Sequence, residues 1–465
     1  MNGVLIFLCL LVGALIVLAV PSMAAPYAAD YGVAINAFYT GKALLICAPF
    51  AVIAALYAYR QERHGSFLLK IFIAALLVRV IVGSLIFALR GQDFFGGDAI
   101  TYDFLGQTQL QAWAGDSYAR VLLSNRASGW GMGYFVGGVY ALIGRNMLSI
   151  QFINAVMGAV TAPVVFTCAQ EVFSNTRVSK LAALAIAFYP SLILWSSQGL
   201  KDGPIVFLLA VAILTTLKLG KKFTVSYLVI LLCALLGLLS LRFYVFYMIG
   251  AAVGGAFVIG TRKFDAISFV RQFIILIVLT IALAYVGVPR FASEQYGTYG
   301  SLEKVEQSRR DMARRGESGF GEDVDVSSVK GAISNIPLGL LYLLFAPFPW
   351  QLASLRQVIT LPEMIIWWAS FPMMILGFWF SLKYRLRMIA PILIFTTLLS
   401  LMYSVFQGNV GTAYRQRAQL LVFYFIFVAV GYVVVLEKRE EKRRRQFQPA
   451  IIAPGLTLSA TERRT

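Results

Sequence analysis

The chain has 465 residues, of which 59% are hydrophobic and only 13% charged, and its mean hydropathy is +0.76. Those values lie outside the range of soluble domains and define an integral membrane protein. A formal net charge of +18 does not indicate a nucleic-acid partner here, because the basic residues fall in short loops between apolar runs and in KREEKRRR after Glu437, without interleaved aromatics.

Several apolar runs reach the roughly 17 to 25 residues that a helix needs to cross the hydrocarbon core, which excludes an outer-membrane barrel and predicts an all-α, polytopic fold. The first 24 residues are apolar but lack a basic leader, so a retained first helix is expected there rather than a cleaved signal. YRQERH at Tyr59, SNTRVSK at Ser174, LGKKF at Leu219, TRKFD at Thr261 and KYRLR at Lys383 to Arg387 all fall on the side of the basic tail if the chain crosses about twelve times with both termini cytoplasmic. The last three spans are expected near 363–382, 388–405 and 418–436. Two apolar stretches, residues 131–144 and 337–349, must then not cross. Both are short, and Pro347 and Pro349 break the second, so they read as interfacial or re-entrant pieces. The expected organisation is transmembrane helices over 1–66, a transmembrane module over 67–288 with an outer loop at 89–146, an outer loop and re-entrant segment over 289–362, closing helices over 363–436, and a basic cytoplasmic tail over 437–465. Cys9, Cys47, Cys168 and Cys233 lie in apolar stretches and read as packing residues, and the single histidine, His64, sits beside Arg63 in a short polar loop. Zinc and histidine-based acid–base chemistry drop out.

Four polar elements share the outer side: 89–146, QGLKD at Gln198 to Asp202, the long loop 289–336, and GNVGTAYRQR at Gly408 to Arg417. The first holds QDFFGGDAITYDFLGQ from Gln92, with three acids in a chain otherwise poor in them. Asp93 and Asp116 read as solvated. Asp98 differs, because Gly96 and Gly97 let the backbone come close to another surface, and Tyr102 shares its face if the segment is helical while Asp103 points elsewhere. The segments from Phe104 and Tyr118 are amphipathic and fit short interfacial helices. Lys201 and Asp202 end the span YPSLILWSSQGL, and Gly203 and Pro204 open the next helix, where Asp202 also fits a plain capping residue. The loop from Ser308 reads as mobile and able to order over a substrate. Arg79 is mid-span, so it needs an ion-pair partner or a place on a lipid-phosphate path.

Taken in order, GGDAITY, GMGYFVGGVYALIGR, QFINAVMG, YPSLILWSSQGLKD and YRQRAQLLVFYFIFV resemble the GT-C superfamily of membrane glycosyltransferases, with the likeness concentrated in residues 67–220. The relatives meant are the polyprenyl-phosphate-dependent ones, such as protein mannosyltransferases and aminoarabinose transferases. The resemblance implies a sugar moved from a polyprenyl-phosphate-linked donor to a glycan, lipid or protein acceptor on the outer face of a bacterial cytoplasmic membrane. Carried over to matching positions, Asp98 is the base and Asp202 a second acid that orients an acceptor, a metal or a lysine. Tyr102 and Lys201 join the substrate site, and Arg415 and Arg417 meet the lipid phosphate through planar guanidinium forks. In a helix these two arginines lie about 200° apart, so both reach one phosphate only if the chain is non-helical at Arg415. A divalent metal is an open candidate cofactor. The commonest members carry two adjacent acids in the first outer loop, whereas Asp98 is followed by Ala99, so a paired-carboxylate site is not implied there. An O-antigen or exopolysaccharide polymerase or ligase would share the spans, the large outer loop and the outer arginines, but not the base in the first loop. A lipid-linked-sugar transporter would show paired repeats or several mid-span acids, and neither is found.

Overall fold

The computed structural model describes residues 35–61, 63–89, 97–124, 130–259, 266–315, 318–352 and 354–447, together with Ala19. The expected first helix, Asp93, Gly96, the TRKFD turn and the end of the tail lie outside the described residues.

The described chain is a helical bundle. Helices α1 (Ala37–Tyr59) and α2 (Gly65–Ala88) lead into the first polar insertion, which folds as α3 (Asp98–Trp113), α4 (Ser117–Ser124) and α5 (Trp130–Ile143). Then follow α6 (Met147–Phe173), α7 (Thr176–Phe188), α8 (Pro190–Ser196), α9 (Asp202–Lys221), α10 (Val225–Leu241) and α11 (Phe243–Ile259). The remaining helices are α12 (Ala266–Tyr285), α13 (Val288–Tyr299), α14 (Leu302–Arg315), α15 (Val329–Phe345), α16 (Leu355–Phe406), α17 (Val410–Gln416) and α18 (Ala418–Phe447). The core sits around α6, which packs against α1, α2, α7 and α9 and is the most enclosed of the long apolar helices.

Six helices are long and apolar enough to cross a membrane, or eight if each of two bent pairs counts as one span. The difference from about twelve has identifiable sources. The expected first helix is outside the described residues, α10 and α11 have 17 residues each, and α16 counts once although it is two limbs. Trp367 stacks on Tyr424 at 6.3 Å, and Ser400 hydrogen-bonds the same tyrosine at 2.8 Å. A straight helix would hold Trp367 and Ser400 about 50 Å apart. The element therefore folds back on itself where Arg385 leaves helical geometry, at φ −137° and ψ 18°, inside the basic KYRLR segment. Each limb packs on α18, and one crossing is so close that a Cβ at Gly377 or Gly431 would collide with the opposite backbone.

The polar ends sort onto two faces. On one, Arg177 pairs with Glu440 at 3.0 Å, Lys221 with Glu171, and Arg271 donates to the Gly220 carbonyl at 2.9 Å. On the other, Phe320 donates to the Gly408 carbonyl at 2.9 Å and Val410 to that of Ser318 at 2.9 Å, so the long polar loop docks on the segment before α17.

The break between α7 and α8 organises the second face. Pro190 has no N–H and holds Tyr189 extended, so α7 stops and α8 leaves at 54°. Arg79, in the middle of α2, donates to the Ile186 carbonyl at 3.2 Å, the Ala187 carbonyl at 2.8 Å and Ser196 Oγ at 2.8 Å. It is fully buried and serves backbone that the break releases, rather than a carboxylate partner or a lipid-phosphate path. Asn154 of α6 completes the turn by donating to the carbonyls of Gln198 and Leu200, both at 2.8 Å. Arg79→Leu keeps the span apolar but leaves two carbonyls without donors, at about 1–3 kcal/mol each. A drop of several degrees in the unfolding temperature of the detergent-solubilised protein is expected, with Arg79→Lys in between; an unchanged transition in both would show that the break closes without this side chain.

Candidate functional site

The α8–α9 turn delivers Lys201 and Asp202 to the second face. Asp202 begins α9, yet it does not cap the helix: its carboxylate, 1% exposed, is taken by arginines. Arg415 Nε donates to Asp202 Oδ2 at 2.7 Å, its Nη2 lies 2.5 Å from the same oxygen, and Arg242 Nη2 approaches Oδ1 at 3.5 Å. The same Arg415 donates through Nη1 to Asp98 Oδ2 at 2.5 Å. Lys201 Nζ lies 5.8 Å from the centre of the Tyr102 ring. Residues far apart in sequence thus meet at one guanidinium.

Asp98 reaches this place because α3 is pinned from behind. Asp103, on the other side of that helix, accepts from Tyr140 Oη of α5 at 2.5 Å and from Arg145 Nη2 at 2.5 Å, a partly buried ion pair that fixes how α3 lies on α5. Asp98, at the start of α3, is then turned outward, with its side chain 53% exposed.

Arg415 is positioned by α17. Asn409 accepts from the Thr412 amide at 3.1 Å, which starts the helix at Val410. The chain is therefore helical at Arg415, and Arg417 points the other way, donating to the carbonyls of Leu344 at 2.8 Å and Ala346 at 3.0 Å, where α15 ends. The structure brings Asp98, Tyr102, Lys201, Asp202 and Arg415 together and leaves Arg417 outside the cavity that Asp98, Lys201 and Arg415 line. Arg242 joins them unannounced by the sequence, in which it is one more charge at the end of an apolar run.

The group faces a cavity of about 770 Å³. Val78 and Val82 of α2, Pro190, Ile193 and Leu194 of α8, and Ile359 and Pro362 of α16 form an apolar wall, while Asp98, Lys201, Arg242 and Arg415 line the charged end. Trp195 lies between the ends, its ring 5.8 Å from the Arg415 guanidinium and 6.3 Å from the Tyr414 ring. At the charged end Lys201, Arg242 and Arg415 surround Asp98 and the buried Asp202, an excess of one positive charge in this group beside an apolar groove, which suits an anionic headgroup on a hydrocarbon tail. Burial and the neighbouring Arg242 push the Lys201 ammonium down to about 8. Burial works against the Arg415 charge as well, but Asp202 and Asp98 outweigh it and hold this guanidinium more firmly protonated than usual.

Removing the buried Asp202 charge leaves Arg242 and Arg415 repelling each other, and breaking a buried pair in this way costs about 3–5 kcal/mol. Asp202→Asn should lower the unfolding temperature in detergent, and millimolar inorganic phosphate should restore more of it than in wild type by replacing the lost anion. An equal phosphate response in the two proteins would mean that the cations are not open to an external anion.

Residues 129–289, about a third of the chain, match the family model described as dolichyl-phosphate-mannose-protein mannosyltransferase. The match contains Lys201, Asp202 and Arg242 but not Asp98 or Arg415. No curated protein matches the sequence. Among solved structures, the archaeal oligosaccharyltransferase AglB from Archaeoglobus fulgidus, in complex with an inhibitory peptide and a dolichol-phosphate, aligns with 16% identity and a TM-score of 0.41 over 69% of this chain. The chain spans 44% of the length of that protein. The resemblance to GT-C membrane glycosyltransferases, read first from the order of its outer motifs, is thus met by a family match over the segment that builds the α8–α9 turn.

Proposed function

We propose that the protein is a membrane glycosyltransferase that transfers a sugar from a polyprenyl-phosphate-linked donor to an acceptor hydroxyl at this cavity, on the outer face of a bacterial cytoplasmic membrane. The observation that carries the reading is the excess of positive charge around a half-exposed carboxylate at the end of an apolar groove. The family match over 129–289 supports it.

In this reading the prenyl chain lies along the apolar wall and the phosphate meets Arg415, Arg242 and Lys201. Asp98 takes the proton of the acceptor hydroxyl as its oxygen bonds to the anomeric carbon and the bond from that carbon to the phosphate oxygen breaks. The bonding pair leaves with the lipid phosphate, whose charge goes from −1 to −2 and is met by the same cations. Asp202 holds Arg415 and Arg242 in place and does not touch the sugar. Arg415 links the two functions, since a bound phosphate competes with Asp98 for its Nη1 and frees the carboxylate to act as base. The acids are already engaged by arginines, a poor donor set for a divalent cation, so no step is assigned to a metal. The sugar and the acceptor stay open, and a polymerase or ligase of lipid-linked glycans would use the same charged end.

Asp98→Asn keeps size and hydrogen bonding but not basicity, so a loss of roughly 100-fold or more in kcat is expected with normal membrane insertion. Lys201 adds a pH signature. Its ammonium is present below about 8 and lost as pH rises through that value, so kcat/KM should fall on the alkaline side in wild type and extend its plateau upward in Lys201→Arg. Full activity in Asp98→Asn, together with no alkaline limb, would overturn the assignment of this cavity.

In this reading the face that carries Arg177, Glu440 and Lys221 together with the basic turns is the cytoplasmic one, an assignment supported by the positive-inside rule. After replacement of the native cysteines, a cysteine at Ser318 should react with a membrane-impermeant thiol reagent in intact cells and one at Thr176 should not. The reverse pattern would put the cavity on the cytoplasmic side.

A further inference from the structure

A second cavity, of about 350 Å³, takes no part in the reaction above. Leu105 and Gln109 of α3, Trp130, Gly133 and Tyr134 of α5 and Phe291 of α13 line it. Gln109 is 6% exposed, and among the described residues its amide has no hydrogen-bond partner. Unlike Gln107 Oε1, which is sealed within the protein, the Gln109 amide keeps accessible surface, and the residue borders the cavity. Trp130 meets Tyr134 edge to face with ring centres 5.5 Å apart, and Trp113 meets the same tyrosine at 5.9 Å. The rings are therefore held in place while Trp130 stays 40% and Tyr134 50% exposed.

Chemistry and position narrow the ligand. None of the described residues lining this cavity is charged, so a phosphate finds no cation there, and an acyl chain would leave the Gln109 amide unpaired. A neutral ligand with hydroxyls and an apolar edge fits both features: the amide offers two donors and an acceptor to neighbouring hydroxyls, and the electron-rich ring faces attract the C–H edge of a sugar. The cavity also shares two walls with the charged end. Asp98 opens α3, and Leu105 and Gln109 follow it on the same helix at roughly 10 and 16 Å along the axis. Gly131 of α5 packs so closely on Ser240 that a Cβ would strike its side chain, and Ser240 stands two residues before Arg242.

We propose that this second cavity is an acceptor subsite for carbohydrate: a sugar unit behind the one that reacts at Asp98 lies against Trp130 and Tyr134 and exchanges hydrogen bonds with Gln109. The proposal rests on the glycosyltransferase reading and adds that the acceptor is a glycan of several sugars, held at a distance from the reacting hydroxyl. Binding at a remote unit orients the reacting one, so a longer acceptor is favoured over a single sugar.

The test is binding, so that it does not depend on turnover. Detergent-solubilised protein is titrated with neutral tetrasaccharides of glucose, mannose, galactose and N-acetylglucosamine, with the corresponding monosaccharides, and separately with bare undecaprenyl phosphate. Wild type should bind at least one tetrasaccharide, and more tightly than its monosaccharide. Gln109→Leu, which keeps size but removes the amide, and Trp130→Ala, which removes the platform, should each weaken that tetrasaccharide about 10-fold or more and leave the affinity for bare undecaprenyl phosphate unchanged. Where Trp130→Ala is not recovered from membranes, Trp130→Leu carries the same expectation. No binding of any tetrasaccharide to wild type, or binding that survives both substitutions, overturns the proposal. So does more co-purified phospholipid in Gln109→Leu with no loss of tetrasaccharide affinity, which would make the cavity a seat for lipid. Failure of the transferase reading looks different, as tetrasaccharide binding that depends on Gln109 and Trp130 without sugar transfer from any polyprenyl-linked donor.

Discussion

The site depends on one guanidinium shared by two carboxylates. Arg415 bridges Asp98, 317 residues away in sequence, and Asp202, 213 residues away, and with them the first polar insertion, the end of the broken span and the late helix α17. Each carboxylate alone would be an unfavourable charge at the edge of an apolar bundle, and Arg415 alone would be one as well, being mostly covered. Only the assembled cluster is tolerable, so the charges specify how these three segments pack, a stronger constraint than the non-directional burial of apolar helices in lipid provides. The same physics leaves the cluster chemically incomplete. With Arg242 and Lys201 added, positive charge exceeds negative by one, and an anion would close the balance.

A second constraint is backbone hydrogen bonding. A turn below the membrane surface frees carbonyls that have no water to satisfy them. Here the missing donors are side chains: Arg79 serves the carbonyls where α7 ends, and Asn154 those of the α8–α9 turn. The close contact is possible because Gly158 has no side chain, since a Cβ there would strike Ser196. Arg79 therefore acts on Lys201 and Asp202 at one remove, by holding the turn that presents them.

Hydropathy made the helical class, the fold-back at KYRLR and the grouping of polar ends onto two faces legible, because each is set by local composition. Asp98, Tyr102, Lys201, Asp202 and Arg415 could be gathered because they share one side of that pattern. Arg417 shows where it stopped. Whether it joins Arg415 turns on the backbone state of a seven-residue helix, and the deciding signal, Asn409 as the capping residue, is one that local rules treat as ordinary. Arg242 was hidden for another reason: a lone charge after an apolar run reads the same whether it snorkels to the surface or pairs with a buried acid, and the partner is not local. Glu363 was obscured by a boundary. With the span expected to begin at 363 it would sit at the water interface, but α16 begins at Leu355, which carries it into the wall of the cavity.

The long loop illustrates why such boundaries matter for function. Its Gly, Ser and mixed charges read as mobile, yet Ser318 and Phe320 exchange backbone hydrogen bonds with Val410 and Gly408, the residues that precede and open α17. The helix that carries both Tyr414 and Arg415 is thus held from outside by the loop and from inside by Asp202 and Glu363. A shift of α17 by a fraction of a turn would break the Arg415–Asp98 contact and the Tyr414–Glu363 contact together. Polar contacts on two sides of one short helix therefore couple the charged end of the cavity to the wall that carries Glu363, so that movement at one is felt at the other.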